Sequence, residues 1–348
     1  MKHPGNTPPH RTPDGAILSG SIAEARYVSL GGVQQWIMMR GESLDNPPLV
    51  LLHGGPGFSE TQFFRRFNTP LEKLFTLVYW DQRGSGKSFS GRIPSSSMTV
   101  GQSVADLDDL VEEVCTRVGQ KKVTIFGHSW GSALGILYAV RHPDRVAAYV
   151  GSGQIGDWRA AESASYAYAL SEARRRENRK ALKDLLAIGP PPYPAGSLWT
   201  ERTWLQRFDG QLGVSSLWNM MRDFLALPEL SILDLVNLLR GFRSSFFTMW
   251  PEVSSLNLIE AAPELKMPVF FFLGRHDHWV PPETSVAYFD TLVAPLKRLV
   301  WFEESGHEPF VDEPLKFNAS MVALVRPAAL SAGLQETQAA TFANRSGT

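Results

Sequence analysis

Before position 154, short apolar runs alternate with longer amphipathic stretches. Runs of four to eight residues with continuous hydrophobicity are typical of strands that are buried on both faces of a sheet. The amphipathic stretch from about Thr99 to Val118 predicts one helix, and SALGILYAVRHP at 132–143 predicts another. The predicted strands are LVLL at 49–52, FTLVYW at 75–80, VTIF at 123–126 and the run VAAYVGSG at 146–153. This order indicates βαβ units and a mostly parallel sheet flanked by helices.

The pattern changes between Gln154 and Ala262, where helix-like segments rich in Trp, Arg, Leu and Met are broken by GPPPYPAG at 189–196. The α/β pattern resumes with MPVFFFLG at 267–274 and RLVWF at 298–302, followed by a last helix near 313–325. The sequence therefore predicts an α/β core that is split by an inserted helical cap. The predicted segments are a flexible N-terminus at 1–24, core at 25–153, cap at 154–262, core at 263–326 and a flexible tail at 327–348.

The stretch GHSWGS at 127–132 sets Ser129 between two glycines, directly behind the predicted strand VTIF. A serine in this position suits a nucleophile elbow, in which a strand turns sharply into a helix and exposes the hydroxyl at the tip. Gly127 and Gly131 would then be required because a Cβ at either flank would collide with the neighbouring chain. Ser129 is the candidate nucleophile.

A serine hydroxyl needs a base, which is usually a histidine oriented by a carboxylate. Asp277 in GRHDHWVPP and His307 in EESGHEPF follow the last two predicted strands, so both should lie with Ser129 at the carboxyl edge of the sheet. The order Ser, Asp, His is that of elbow-type hydrolases. Asp81 is a weaker candidate acid because it precedes the serine. The competing histidines near strand ends are His53, His128, His276 and His278.

Acyl transfer also needs N–H donors for the oxyanion. The glycine-rich loop LLHGGPG at 51–57 can supply one, and the residue after the nucleophile a second. We assign the amides of Gly55 and Trp130, with Gly54 as the alternative to Gly55. The stretch GSGKS at 84–88 is not a nucleotide loop because that motif requires glycine where Asp81 stands. Arg83 is expected to brace this turn.

Composition narrows the class of protein. The chain has 348 residues and a net charge of −1, which gives no electrostatic basis for binding nucleic acid or an anionic membrane. Cys115 is the one cysteine, which excludes an intrachain disulfide and a cysteine metal cluster. The sequence has no apolar run of about 18 residues, the length of a membrane span, and the N-terminus lacks a secretory signal. A soluble, cytoplasmic protein is expected.

The motifs HGGPG, DQRGSGKS, GHSWGS, GRHD and SGHEPF occur in an order that resembles the proline iminopeptidase-like serine hydrolases of the α/β-hydrolase superfamily. The resemblance spans about 49–325. It implies an α/β-hydrolase fold with Ser129 as nucleophile, His307 as general acid and base, and Asp277 as its orienting carboxylate. It implies an acyl-enzyme and no metal or organic cofactor. Related proteins include aminopeptidases, amidases, esterases and lactone hydrolases.

Aminopeptidases of this group hold the substrate's amino group with carboxylates of the cap. This sequence lacks the tryptophan-glutamate pair that many members carry, so the partner of an amine stays open. Glu252 in MWPEV is the first candidate, with Trp250 beside it as a pocket residue. The other cap carboxylates are Glu162, Glu172, Glu201, Asp209, Asp223, Glu229 and Asp234. The aromatic side chains of the cap are divided between its core and a pocket, and include Trp199, Trp204, Trp218, Phe246 and Phe247.

Three hypotheses follow for the function. The first is a serine hydrolase that cleaves an amide or peptide bond, with release of N-terminal proline as one such reaction. The second is an esterase or lactone hydrolase acting on a small apolar substrate with the same triad. The third is a ligand-binding receptor with little turnover, which the complete set of catalytic residues disfavours. The expected partner is a small molecule or a short peptide, and transfer of the acyl group to an acceptor other than water stays open.

Overall fold

The structure is a computed structural model that describes residues 4–208 and 224–332. Its strands are β1 Ile22–Leu30, β2 Val33–Gly41, β3 Pro48–Leu52, β4 Thr76–Asp81, β5 Val123–His128, β6 Val146–Ser152, β7 Val269–Gly274 and β8 Lys297–Phe302. Its α-helices are α1 Thr61–Phe67, α2 Val100–Val118, α3 Trp130–Arg141, α4 Trp158–Arg175, α5 Arg179–Ile188, α6 Ala195–Arg207, α7 Ile232–Val253, α8 Leu258–Ala261, α9 Pro282–Thr291, α10 Pro309–Asp312 and α11 Pro314–Ser320.

These strands form a single sheet in the order β1-β2-β4-β3-β5-β6-β7-β8. All neighbours from β4 to β8 pair in parallel, whereas β2 is antiparallel to both β1 and β4. The carboxyl ends of β5, β7 and β8 therefore lie along one edge of the sheet. This edge is where an open parallel sheet collects its ligands.

The predicted fold class and the six strands predicted from β3 to β8 are confirmed. The hairpin of β1 and β2 is not among the predicted elements. Its two strands are joined by Gly31 and Gly32, which have φ values of 53° and 75°. Both residues need positive φ in a two-residue type I′ hairpin turn, which makes the glycine pair the overlooked signal.

Helix α2 begins and ends where its sequence predicts. The Thr99 side chain accepts a hydrogen bond from the Gln102 amide at 3.1 Å, which satisfies one of the free N–H groups of the first turn. Gly119 follows the last turn in the left-handed conformation with φ 70°, a common helix ending. Cys115 is buried on this helix.

The core packs on both faces of the sheet, which explains the continuous hydrophobicity of the strands. Along β3, Leu49 and Leu51 belong to the apolar cluster that contains Phe310 and Phe317. Val50 and Leu52 belong to the cluster on the opposite face, with α2 and α3. Alternate residues of one strand thus serve two helical layers.

Helices α4 to α8 occur in the sequence between β6 and β7, where the insertion is predicted, and GPPPYPAG covers the link between α5 and α6 and the first two residues of α6. Two predictions about the chain ends differ from the structure. Strand β1 begins at Ile22, and the Pro4 carbonyl accepts a hydrogen bond from the Trp36 indole at 2.7 Å, so part of the segment 1–24 is fixed to the core. Helical backbone continues to residue 332. No helix in the described ranges is long and apolar enough to cross a bilayer.

Candidate active site

Ser129 lies at the sharp turn between β5 and α3, with φ 52° and ψ −119°. Positive φ is unfavourable for a residue with a side chain, at a cost of about 1–3 kcal/mol. A Cβ added to Gly127 would lie 2.7 Å from Ser132 Cα, and one added to Gly131 would overlap the carbonyl oxygen of Leu52. The two glycines therefore permit a close turn that raises the serine at the end of the strand, as the sequence predicts for an elbow.

Asp277 and His307 are both buried and are joined directly. His307 Nδ1 donates to Asp277 Oδ2 at 2.8 Å. The second oxygen, Asp277 Oδ1, accepts the backbone amides of Trp279 and Val280 at 2.9 Å each. These bonds fix the carboxylate, which in turn fixes the ring of His307 with its proton on Nδ1 and leaves Nε2 as the basic nitrogen.

Burial lowers the pKa of His307 below its usual value, and the charge of His128 lowers it further, while Asp277 opposes both effects. A buried imidazole is costly to charge because the interior solvates an ion poorly. Nε2 is therefore unprotonated near neutral pH. A neutral ring at this position can accept a proton from a nucleophile.

Backbone contacts bring His307 to the elbow. The Ser129 amide donates to Ser152 O at 2.9 Å, at the end of the neighbouring strand β6. Gly153 follows, and a Cβ added to it would lie 2.7 Å from His307 Cε1. Within the described part of the chain, the Ser129 hydroxyl and His307 do not form a hydrogen bond; such bonds often form only when substrate is bound.

The glycine-rich loop after β3 passes close to Ser129. A Cβ added to Gly54 would lie 3.2 Å from Ser129 Cβ. The Gly54 amide donates to Glu60 Oε1 at 3.0 Å and is therefore occupied. None of the described residues accepts a hydrogen bond from the amides of Gly55 or Trp130. These two amides remain the candidates for an oxyanion site, and the alternative assignment to Gly54 is disfavoured.

Gln82, in the DQRGSGKS motif, supports this loop and was not singled out from the sequence. Its side-chain Nε2 donates to His53 O at 3.1 Å, and its Oε1 accepts from Trp130 Nε1 at 3.0 Å. The motif thus joins the glycine-rich loop to the start of α3. Arg83 turns away, with Nε 2.7 Å from Asp106 Oδ2 on α2, so it braces the turn as its place in the motif predicts.

The competing histidines and the competing acid are occupied elsewhere. His53 Nε2 lies 3.0 Å from the Ser85 hydroxyl, and His278 stacks on the ring of Tyr168. His276 is exposed. The Asp81 carboxylate accepts the Lys87 amide at 2.7 Å. The pairing with Asp277 therefore favours His307 among the candidate histidines, whereas His128 is bonded to Glu60.

Two carboxylates of the cap region converge near this site. Glu162 on α4 and Glu201 on α6 are 3% and 0% exposed, and Arg202 is bonded to both, with its guanidinium 2.7 Å from Glu201 Oε2. Within the described residues, Glu162 Oε2 is buried without a hydrogen-bond partner, and the buried Glu201 carboxylate faces the Tyr193 hydroxyl. Two carboxylates facing one guanidinium leave an excess of acceptors, which suits a positively charged ligand.

This acidic cluster adjoins His307 through Trp279. The Trp279 ring lies 5.6 Å from the ring of His307, and the Arg202 guanidinium lies 5.6 Å from the centre of the same indole. Burial raises the pKa of both Glu162 and Glu201, while the positive charge of Arg202 opposes that shift. A second cation bound beside the carboxylates would favour their ionised forms.

The predicted substrate residues Glu252 and Trp250 do not join the acidic cluster. Glu252 is exposed, and its Oε2 accepts the Val100 amide at 2.9 Å, so it caps the N-terminus of α2. Trp250 is buried and packs on Phe246 and Trp158. Glu252 lies near the end of α7, and its carboxylate reaches the first turn of α2. The sequence alone does not show that these two helices meet there. Trp250 is linked to the acidic cluster through Trp158, whose indole donates a hydrogen bond to Glu162 at 3.1 Å.

The remaining cap residues named from the sequence have other partners. Glu172 pairs with Arg175 on its own helix and with Arg176 directly after it, Glu229 is bonded to Arg65, and Asp234 is bonded to Lys87. Among the aromatic residues, Trp204 and Phe246 are buried, whereas Trp199 and Phe247 are about half exposed. Asp209, Trp218 and Asp223 lie outside the described residues.

Comparison with known proteins places this chain in a family. The family model for the α/β hydrolase fold matches residues 47–314. A probable aminopeptidase of Bacillus subtilis, YbaC, is 32% identical over 306 residues, which span 85% of this chain and 94% of that protein. The proline iminopeptidase of Neisseria gonorrhoeae is 35% identical over 120 residues, 34% of this chain and 36% of that protein.

Solved structures agree on the fold. The crystal structure of proline iminopeptidase from Mycobacterium smegmatis matches with a TM-score of 0.64 at 19% identity, covering 89% of this chain and all of that one. At this identity the likeness concerns the fold alone. The resemblance inferred from the motifs is confirmed: the chain belongs to the α/β-hydrolase family, and its relatives include proteins named as aminopeptidases and proline iminopeptidases.

Proposed function

We propose that this protein is a serine aminopeptidase, which cleaves the amide bond that follows a residue with a free amino group. N-terminal proline is the first residue to test. In the proposed reaction, Ser129 Oγ attacks the carbonyl carbon while His307 Nε2 takes the hydroxyl proton. The hydrogen bond from His307 to Asp277 stabilises the imidazolium that forms.

The attack places negative charge on the former carbonyl oxygen. In the proposal, the amides of Gly55 and Trp130 donate hydrogen bonds to that oxygen, since neither has an acceptor among the described residues. His307 then returns its proton to the leaving amine, and the acyl-enzyme is left on Ser129. Water, activated by the same histidine, releases the acyl group and restores the serine.

The observation that carries the substrate class is the pair of buried carboxylates, Glu162 and Glu201. Each has one oxygen bonded to Arg202; Glu162 Oε2 has no partner within the described residues, and the Glu201 carboxylate faces the neutral hydroxyl of Tyr193. An ammonium group removed from water needs such acceptors, because an unpaired buried charge is strongly unfavourable. Trp279 contacts both Arg202 and His307, and the charge of Arg202 acts on His307, so the cluster lies on the side of the proposed catalytic histidine where the amino end of a substrate could bind.

The relatives support the same class. The protein that shares 32% identity across most of both chains is named a probable aminopeptidase, and the proline iminopeptidase match covers part of the core. A substrate with a free amine is therefore a better proposal than an ester or lactone. No contact in the described residues specifically favours the latter.

The proposal is tested by blocking the amine. Wild type is expected to hydrolyse an unblocked prolyl arylamide and to leave its N-acetyl derivative intact. Glu201→Gln keeps the size of the side chain and removes its charge, so KM for the unblocked substrate should rise roughly 10- to 100-fold, the value of a hydrogen bond to a charged group. Glu252→Gln is the matched control and should retain wild-type KM.

The opposite outcomes would reject the proposal. Equal hydrolysis of the acetylated and unblocked arylamides would show that the amine is not recognised. Turnover confined to esters or lactones, with both arylamides untouched, would replace the aminopeptidase by an esterase. A rise in KM for Glu252→Gln, without one for Glu201→Gln, would move the amine site to the end of α7.

A further inference from the structure

A second buried acid and histidine pair lies directly beneath the nucleophile. His128, the residue before Ser129, has its Nδ1 2.6 Å from Glu60 Oε1. The two side chains are 2% and 6% exposed. The triad does not require either of them, and nothing in the reaction described above uses their side chains.

This pair touches three separate parts of the site. Glu60 Oε1 accepts the Gly54 amide at 3.0 Å, which ties it to the glycine-rich loop. His128 Nε2 donates to the backbone carbonyl of His307 at 2.9 Å, which ties it to the loop after β8. His128 is itself the last residue of β5, so the pair fastens both loops to the elbow.

The hydrogen bonds define the charge of His128. One ring nitrogen faces a carboxylate oxygen and the other faces a carbonyl oxygen, and neither group supplies a hydrogen. An imidazole that donates from both nitrogens is the cation. Burial alone lowers the pKa of His128, but the carboxylate of Glu60 outweighs burial and raises that pKa to about 9.

The charged ring of His128 lies beside His307, the proposed general base. The rings of His128 and His307 are 4.6 Å apart. The charged and titratable groups that face the two rings are Glu60, Glu308, Asp277, His53 and Arg202. A positive charge at this distance disfavours a second imidazolium.

We propose that Glu60 and His128 are positioning residues of the hydrolase. They hold the glycine-rich loop and the loop after β8 in place against the elbow, and they provide a cation beside His307. This inference rests on the proposed serine mechanism. It does not depend on the amine subsite, because neither residue contacts Glu162 or Glu201. Loss of the pair should therefore impair any acylation of Ser129, whatever the substrate.

The test uses a fluorophosphonate, which acylates an activated serine and carries no amine. For wild type, His128→Gln and Glu60→Gln, the second-order rate of labelling is measured from pH 5 to pH 9. We expect the plateau rate of His128→Gln to fall about 100-fold, the cost of displacing reacting groups by about 1 Å. Its midpoint should move to higher pH, because the cation is lost while the Glu60 carboxylate stays, which raises the pKa of His307.

The partner variant and a control complete the experiment. Glu60→Gln should also label slowly, and the double variant should be no slower than the slower single variant, because both changes break the same pair. His142→Gln removes a histidine that lies 3.4 Å from Asp108, away from the site, and should match wild type. A role confined to stability would lower the melting temperature without moving the midpoint.

Several results would overturn the inference. A folded His128→Gln protein with the wild-type plateau and midpoint would do so, as would fully additive losses in the double variant. Imidazole 15N NMR of the wild-type protein at pH 7.5 gives a readout that needs no variant: His128 should carry protons on both nitrogens, and a neutral ring would contradict the proposal. Unlabelled wild type would instead reject the serine mechanism itself.

Discussion

At the scale of single residues, the two glycines of the elbow have no room for a side chain. Gly131→Ala would drive a Cβ into the carbonyl oxygen of Leu52. We predict a loss of about 2 kcal/mol or more in the free energy of unfolding, measured in urea, because overpacking forces the backbone to shift. Gly101→Ala is the control: that glycine lies on α2 with open space around it, and the change should be neutral or stabilise by up to about 1 kcal/mol. Equal effects would contradict this account of the turn.

The three proposed catalytic residues could be selected from the sequence because each follows a strand within a short motif. Ser129 is marked by its glycines, and Asp277 and His307 by their order and their loops. The cluster of Glu162, Glu201 and Arg202 could not be predicted from the sequence. Glu162 and Glu201 lie on different helices, and no local pattern shows that Arg202 joins them. Glu252 was preferred for its setting in the sequence, whereas only the packing of α7 on α2 shows that it is a helix cap.

At the scale of elements, the loop that carries His307 is held by the short helices after it. The Asp312 carboxylate of α10 accepts the Gly306 amide at 2.9 Å. Burial raises the pKa of Asp312 from 3.8 to about 7, and the charges of Glu313 and Asp277 add to the shift, while the Gly306 amide opposes it. The native protein therefore prefers this side chain protonated over a range of pH in which the unfolded chain ionises it.

This preference predicts how stability changes with pH. Because the pKa of Asp312 is higher in the native protein than in the unfolded chain, Asp312 lowers the free energy of unfolding as pH rises from about 4 to 7. This destabilisation reaches its full size above pH 7. Asp312→Asn cannot ionise, so its melting temperature relative to wild type should increase over that interval and then stay constant. Asp290→Asn, at an exposed position on α9, is the control. A melting temperature of Asp312→Asn that falls relative to wild type as pH rises would contradict this prediction.

The same scale explains which elements could be predicted. Strands β3 to β7 are fully buried and show as apolar runs, and the edge strand β8 is mostly half-buried but still contains the run LVWF at 299–302. Strand β1 is mostly half-buried, and β2 contains the buried polar residues Gln35 and Arg40, so neither shows a clear apolar run. Their polar groups are satisfied by distant partners: Gln35 bonds to Asp106 on α2, and Arg40 bonds to Glu72.

At the scale of the whole molecule, one buried ion-pair network joins segments that are far apart in the sequence. Arg65 on α1 lies 2.9 Å from Glu72 Oε1 and 3.1 Å from Glu229 Oε1, ahead of α7. The Thr7 hydroxyl also donates to Glu229, at 3.1 Å. The network therefore fastens the N-terminal segment and the start of α7 to the core. A pairing over 222 residues leaves no sign in local sequence, which is why the N-terminus was expected to be flexible.

Glu229→Gln tests this connection. Removing one charge from a buried pair leaves the other poorly compensated, so we expect a loss of about 3 kcal/mol in the free energy of unfolding. Glu303→Gln removes the same charge from an exposed pair with Arg275 and should cost less than about 1 kcal/mol. Chemical denaturation of both variants measures the difference. Similar small losses would show that the network contributes little.

The most direct measurement of the central claim is the initial rate of arylamine release from an unblocked prolyl arylamide by wild type and by Ser129→Ala. The account predicts turnover by wild type and its loss in the variant, with the melting temperature of the variant showing that it is folded. Wild-type rates in Ser129→Ala would contradict the assignment of the nucleophile. A folded wild type that releases no arylamine would contradict the aminopeptidase.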